Sequence, residues 1–235
     1  MRAVLLTGGI YHDFDQMSAA VAGILGSAGF ATEIVTSPAA LVKALEAPAT
    51  IVVVQGLRFR MLGNEKYAPF RAEWAYETGA DLIAALEGHA ARGGGLMALH
   101  TGCISFDDWQ GWHRLLGGGW VWGQSFHAPG LEPVEVRPIA HHPVTEGIAP
   151  FTVTDEHYRK LAISEAALPL MEGKTAEGET HPVAWAVTKP SRAFTLTLGH
   201  DLASITHPQQ ARLIRQAALW AANRQAAAET QGVAP

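Results

Sequence analysis

The residues of this chain best suited to chemistry are imidazoles that fall just after apolar runs. Leu96-Met-Ala-Leu-His-Thr-Gly-Cys103 is one such place: four apolar residues, then His100, then a small-residue turn that closes on the only cysteine. Imidazole titrates near neutrality and binds metals, so His100 suits a general base or a ligand. Cys103 would need a neighbouring imidazole or a helix N-terminus to become a nucleophile, and an isolated cysteine more often behaves as a small buried hydrophobe. The centre of the bend, its most exposed point, is His100. The chemistry is therefore expected at His100 rather than Cys103.

Three other stretches carry similar potential. His200-Asp201 follows the apolar run that ends at Leu198, and His12 sits in Tyr11-His-Asp-Phe14. Val153-Thr-Asp-Glu-His-Tyr158 holds two carboxylates, an imidazole and a phenol in four successive residues. In an extended chain Asp155 and Glu156 point to opposite sides, so only one of them faces a given pocket. His127, His141, His142 and His157 are further candidates, with His142-Pro143 suited to shaping a turn. A zinc site has no HExxH spacing to rest on, and one cysteine excludes thiolate-rich ligation. Any metal site must be assembled from distant loops, for example from His12, His100, His127 and His200. Trp109, Trp112, Trp120 and Trp122 flank a glycine turn; they could floor a sugar cleft, form a subunit interface or pack in the core.

These residues need elements to place them. Residues 3–8 and 50–56 read as strands buried on both faces, and Ala31 to Val35 as a third. Helices are expected over Gln16–Ala28, Pro38–Leu45, Asp81–Ala91 and from about Pro208 to Ala222, with Leu96–Leu99 as another strand. Asp107 followed by Gln110 resembles a capping box that opens a helix. Segment 57–75 shows no period and reads as a loop with a short helix. Residues 134–139, 151–154, Val183–Val187 and Ala193–Leu198 complete the strands, the last two joined at Lys189-Pro-Ser-Arg192. The triple glycine 93–95 leads into a strand, so it is a helix-to-strand connection and not a phosphate cradle.

Strand and helix alternation implies an α/β fold: an open, mostly parallel sheet with helices on both faces, a flavodoxin-like three-layer sandwich. One domain over residues 1–225 and a flexible tail over 226–235 are expected. Ligands then gather beyond the carboxyl ends of the strands. That rule selects Gly9 and His12, Gln55 and Arg58, His100 and Thr101, and His200 and Asp201.

Composition limits the partners. Seventeen basic residues stand against 22 acidic, a net charge of −5, with no clustered cations of the kind nucleic-acid binding needs. A single cysteine forms no internal disulfide. No apolar run is long enough to cross a bilayer, and the first residues lack the apolar core of a secretory signal, so a cytoplasmic protein with no membrane partner is expected.

The motifs Gly94-Gly-Leu-Met-Ala-Leu-His-Thr-Gly102, Leu115-Leu-Gly-Gly118, His142-Pro-Val-Thr-Glu-Gly-Ile148, Phe151-Thr-Val-Thr-Asp-Glu-His-Tyr158, Pro182-Val-Ala-Trp185 and Leu198-Gly-His-Asp201, with Phe106 and Trp109, run through nearly the whole chain. Together they resemble the trehalose-utilisation (ThuA-like) family. That resemblance implies a class I glutamine amidotransferase-like fold and a role in sugar utilisation. In Ala98-Leu-His-Thr-Gly102, His100 stands where amidotransferases carry the cysteine of a Gly-x-Cys-x-Gly elbow. Gly199-His-Asp201 likewise resembles their late His-Pro-Glu. Without that thiolate the thioester route has no starting atom, so glutamine amidotransferase activity is not expected. One departure from the family is Lys189-Pro-Ser-Arg192, where Gly-Lys-Gly-Arg is usual.

The leading expectation is a carbohydrate-processing protein acting on a sugar or keto-sugar by histidine-mediated proton transfer; as an enzyme it would be an isomerase, lyase or hydrolase. His100 or His200 would remove or relay the proton, with Asp155 or Glu156 orienting or donating. Substrate contacts are expected from Gly9, His12, Gln55, Arg58, Thr101, Trp109, His127, Tyr158 and Asp201. A non-catalytic sugar-binding or regulatory module and a metal-dependent hydrolase are the alternatives. No cofactor is expected, a divalent metal such as zinc being the one candidate. The expected partners are a small carbohydrate and a second copy of the chain in a homodimer.

Overall fold

The computed structural model describes residues 1–224 of the chain; the tail expected over 226–235 lies outside the described residues. The N-terminal half alternates as its periodicity implies: β1 (Arg2–Leu6), α1 (Phe14–Ser27), β2 (Ala31–Val35), α2 (Pro38–Ala44) and β3 (Ile51–Val54). Local signals set the helix starts. The Asp13 side chain accepts from Gln16 N at the head of α1, and Ser37 accepts from Ala40 N ahead of Pro38 in α2. A 3-10 turn (Glu65–Phe70) and α3 (Arg71–Trp74) occupy the aperiodic segment, followed by α4 (Ala80–Ala91) and β4 (Gly95–Leu99).

Beyond β4 come a 3-10 turn (His100–Cys103), α5 (Gln110–Leu116) and β5 (Gly118–Gly119). The antiparallel part is built from β6 (Glu132–Pro138), β7 (Phe151–Asp155), β8 (Ala162–Ile163), β9 (Leu168–Lys174) and β10 (Thr180–Val187), and β11 (Ala193–Leu196) returns to the parallel half. α6 (Leu202–Thr206) and α7 (Pro208–Ala221) end the fold. One mixed sheet runs β2-β1-β3-β4-β11-β10-β9-β6-β7, and β5 pairs separately with β8. From β2 to β11 every pairing is parallel; from β11 outward every pairing is antiparallel.

Side-chain alternation along the strands builds the three layers. Ala3, Leu5, Val53, Met97 and Phe194 pack with Met17, Val21 and Leu25 of α1 and Leu213, Ile214 and Ala217 of α7. Val4, Leu6, Val52, Leu96 and Ala98 face the other way, onto Leu41 of α2, Leu82 and Leu86 of α4 and Trp112 of α5. A third cluster, with Phe14, Phe59, Tyr67, Cys103, Trp120 and Tyr158, lies apart from both layers. No helix among the described residues is long and apolar enough to cross a membrane.

Two local expectations need correction. α5 starts at Gln110 with no side-chain cap, because the Asp107 carboxylate accepts from Arg60 N (3.0 Å) and Arg60 Nε (3.3 Å) and is committed across the loop. β9 has no counterpart among the elements expected from the sequence, which leave residues 168–174 without one. Gly173 is required there: a Cβ would lie 2.7 Å from Val134 Cγ1, 2.8 Å from Val183 Cγ1 and 3.1 Å from His157 Nε2.

His157 is sealed in this antiparallel half, and burial, with His181 and Arg159 nearby, pushes its pKa down to about 4. The unfolded chain, with an ordinary imidazole near 6.5, therefore takes up a proton that the folded chain refuses. Stability carried by neutral His157 is complete above pH 6.5 and is lost as pH falls toward 4. His157→Gln should remove that slope. Relative to the parent, its unfolding free energy should improve by about 2 kcal/mol between pH 7.5 and pH 5 in urea titrations; parallel pH profiles would contradict it.

Candidate functional site

The carboxyl ends of β1, β3, β4 and β11 meet at one rim of the sheet. From them come His12, Gln55, His100 and His200. The bend after β4 is tight: His100 adopts a left-handed φ of +46°, a conformation that costs a non-glycine residue roughly 1–3 kcal/mol. Gly102 makes the bend feasible, because a Cβ there would sit 2.0 Å from Val54 O of the neighbouring strand. His100 is not exposed at the bend. Its ring is turned inward and fully buried, roofed by His12, His200 and Tyr158.

The contacts of His100 define the site. Its Nδ1 lies 2.7 Å from Thr197 O, and its Nε2 lies 3.1 Å from His12 Nε2 and 2.9 Å from the Tyr158 hydroxyl. Glu156 Oε2 stands 3.5 Å from His100 Nε2 and 3.4 Å from His200 Nδ1, while Glu156 Oε1 is 3.8 Å from His127 Nδ1. His12 Nδ1 is tied to Ile10 O at 2.9 Å. One nitrogen each of His12, His100 and His200 and one oxygen of Glu156 lie within 4.8 Å of one another, a donor set of the kind that holds a metal ion.

The electrostatics follow from burial opposed by pairing. Burial alone would raise the Glu156 carboxyl, but its close contacts with the His100 and His200 rings outweigh that and hold it well below the usual carboxylate range, hence ionised. Burial, with the His100 ring alongside, pushes His12 down to about 3, so it stays neutral. For His200 burial acts downward, yet the contact with the Glu156 carboxylate and its charge, helped by Asp155 and Asp201, carry its pKa above 6.5. Burial raises the Tyr158 phenol, which remains a donor. The Cys103 thiol is wholly buried, donates to His100 O at 3.2 Å and is pushed up to about 12, so no thiolate forms at neutral pH.

A cavity of about 160 Å³ opens in front of this cluster. Tyr11, Phe59, Tyr67, Trp120 and Trp122 supply its aromatic wall, with Phe59 stacked on Trp122 at 5.0 Å. His12, Thr101, His127, Glu156 and Tyr158 supply the polar edge. A larger cleft of about 620 Å³ runs along Glu135, Arg137, Phe151 and Lys174 on the antiparallel edge, away from the histidines.

The structure thus brings together His12, His100, His200, Glu156 and Tyr158, with His127 and Thr101 at the cavity. Other candidates sit elsewhere. Asp155 faces away from the cavity, as strand alternation requires, and accepts from Gly199 N (2.7 Å), His200 N (3.2 Å) and Ser204 Oγ. Asp201 caps α6 through Ser204 N at 2.8 Å. Arg58 turns under the rim toward the carbonyls of Thr7 and Thr36, and Trp74 lies against its guanidinium at 4.5 Å. Trp109 belongs to the layer of α4 and α5, stacked with Trp112. Gly9 makes a close approach to Leu57, and Gln55 is buried with its amide unpartnered among the described residues. Sequence reasoning passed over Tyr11, Phe59 and Tyr67. Their one signal is aromatic richness in a stretch without helix or strand period.

Comparison with known proteins follows the fold. A family profile described as "Trehalose utilisation" (ThuA) matches residues 2–221. A putative ThuA-like protein from Parabacteroides merdae superposes with a TM-score of 0.76 at 18% identity, covering 97% of this chain and 92% of that one. One from Bacteroides uniformis gives 0.66 at 17%, covering 94% and 91%. A cytoplasmic protein from Salmonella typhimurium gives 0.62 at 10%, covering 92% and 98%. At such identities these likenesses speak for the fold alone. A search among curated proteins finds no match.

Glu156 is what lifts His200, so removing its charge should lower that imidazole. Histidine NMR titration of chelator-treated Glu156→Gln should show the His200 resonance titrating at lower pH than in the parent. An unchanged midpoint would contradict the assigned pairing.

Proposed function

The chain belongs to the trehalose-utilisation (ThuA) family, and on that premise we propose that it is a carbohydrate-processing enzyme acting on a sugar or keto-sugar by proton transfer at the His100–Glu156–His200 cluster. The observation that carries this reading is an ionised carboxylate, held between two imidazoles, at the polar edge of an aromatic cavity. Aromatic faces pack against the apolar C–H faces of sugar rings, and their edges leave hydroxyls free for polar partners. A cavity of about 160 Å³ is small, which suits one sugar ring better than an extended chain.

In this reading the ring stacks against Trp120 and Trp122, and its polar edge meets Glu156, His127 and Tyr158. Glu156 takes the proton, either from carbon next to a carbonyl or from a hydroxyl. His200, whose pKa the carboxylate raises, returns a proton to oxygen. Asp155 serves this chemistry indirectly: it holds the backbone of Gly199 and His200 in place, and Glu156, the next residue, points the opposite way. Glutaminase chemistry is not part of the proposal, because the Cys103 sulfur is sealed and protonated.

Incubation with keto-sugars and disaccharides in D2O, followed by NMR, tests the proposal. Exchange or conversion should occur with the parent and fall on the order of 100-fold or more in Glu156→Gln, since a positioned acid–base group contributes about 10²–10⁴. Cys103→Ser should retain the rate. Sugar binding without turnover would make the protein a binding module; absence of both would overturn the reading.

A further inference from the structure

The two imidazoles at the centre of the site are arranged in a way that calls for a cation. Ile10 O faces His12 Nδ1 and Thr197 O faces His100 Nδ1, and a carbonyl oxygen has no hydrogen to give. Both Nδ1 atoms must therefore carry the proton, which leaves each neutral ring with its lone pair on Nε2. Those two Nε2 atoms lie 3.1 Å apart. Two lone pairs at that separation repel; the Tyr158 hydroxyl, 2.9 Å from His100 Nε2, can donate to one of them, whereas a single cation satisfies both. Among the described residues the buried His200 Nδ1 has no hydrogen-bond partner, only an ionic contact with Glu156 Oε2 at 3.4 Å.

We propose that His12 Nε2, His100 Nε2, His200 Nδ1 and Glu156 Oε2 form a site for one divalent first-row transition-metal ion of the zinc class. Around tetrahedral zinc, with bonds of about 2.0–2.1 Å, neighbouring ligand atoms stand about 3.3 Å apart. The separations of 3.1, 3.4 and 3.5 Å fall on both sides of that value, and no pair of the four exceeds 4.8 Å. Three imidazoles and a carboxylate suit zinc-like ions; calcium and magnesium prefer all-oxygen shells. The carbonyls on His12 and His100 are the outer partners that ligating histidines use to fix tautomer and ring orientation. The Tyr158 hydroxyl, which also interacts with Glu156, can turn from His100 to that carboxylate.

His12 and Glu156 both line the cavity, so the ion would lie at its edge, where a sugar carbonyl or hydroxyl oxygen could join it. Proton handling then falls to Glu156 Oε1, which faces His127. The site itself stands on geometry, and rests on the sugar reading only for what the ion would do there.

The test uses the full chain, stripped with a chelator and titrated with zinc by calorimetry at neutral pH, with metal analysis after desalting. One zinc per chain should bind and raise the melting temperature. His12→Ala and His200→Ala should each weaken binding at least tenfold with an unchanged circular dichroism spectrum, while His141→Ala, at an exposed residue, should not. Cobalt(II) bound to the parent should give the visible absorption of a tetrahedral or five-coordinate centre, which keeps the test decisive if a variant fails to fold. No saturable uptake, or uptake indifferent to both substitutions, overturns the proposal. Sugar conversion by stripped protein that takes up no zinc overturns the metal site alone. Bound zinc with no sugar bound or converted overturns the sugar reading alone.

Discussion

Two backbone carbonyls fix the chemistry of this protein. Ile10 O and Thr197 O each take the Nδ1 proton of an imidazole, His12 in the first case and His100 in the second. Once those protons are placed, neutral rings turn their Nε2 lone pairs toward each other, 3.1 Å apart, with the Tyr158 hydroxyl 2.9 Å from that of His100. Everything nearby answers that constraint. Glu156 supplies negative charge beside them, Tyr158 stacks its ring on His100 at 4.7 Å, and His200 closes the remaining side. A fully buried histidine in a left-handed backbone is a costly thing to keep. Its retention makes sense when the neighbouring groups over-determine it.

The sheet makes this arrangement possible by bringing distant segments to one rim. His12, His100 and His200 follow β1, β4 and β11, strands tied through the parallel half, and Glu156 arrives from the far antiparallel edge after β7. The crossing from β7 back to the rim is held by Asp155, whose oxygens bind Gly199 N and His200 N. Adjacent carboxylates thus divide the work: one clamps the backbone that presents His200, and the other reaches its ring. Gly102 and the bend at His100 complete the assembly, since any side chain at Gly102 would push the turn off β3.

Much of this was legible in the sequence, for reasons that are physical. β-branched and apolar runs such as Ile51-Val-Val-Val54 mark strands buried on both faces, and the strand–helix alternation then places their ends at one rim. His100, His200 and His12 could be nominated by position alone. Glu156 and Asp155 could be told to face apart from the pleat. What stayed hidden depended on tertiary partners. Asp107 reads as a helix cap until Arg60 is seen to take its carboxylate, and Arg58 reads as a rim residue until the carbonyls of Thr7 and Thr36 are seen to hold it. Pro169 and Gly173 conceal β9, because the need for a missing Cβ arises only when Val134 and Val183 pack across it. The aromatic wall was partly hidden for the same reason: Phe59 and Tyr67 come from an irregular segment whose order comes from packing and not from period.

The central claim is the tautomeric state of His12 and His100, and long-range proton–nitrogen NMR of ring-labelled, chelator-treated protein measures it directly. The account predicts that both rings carry hydrogen on Nδ1 and an unprotonated Nε2, and that adding one equivalent of zinc shifts the two Nε2 resonances together. Hydrogen found on Nε2 of either neutral ring would contradict it.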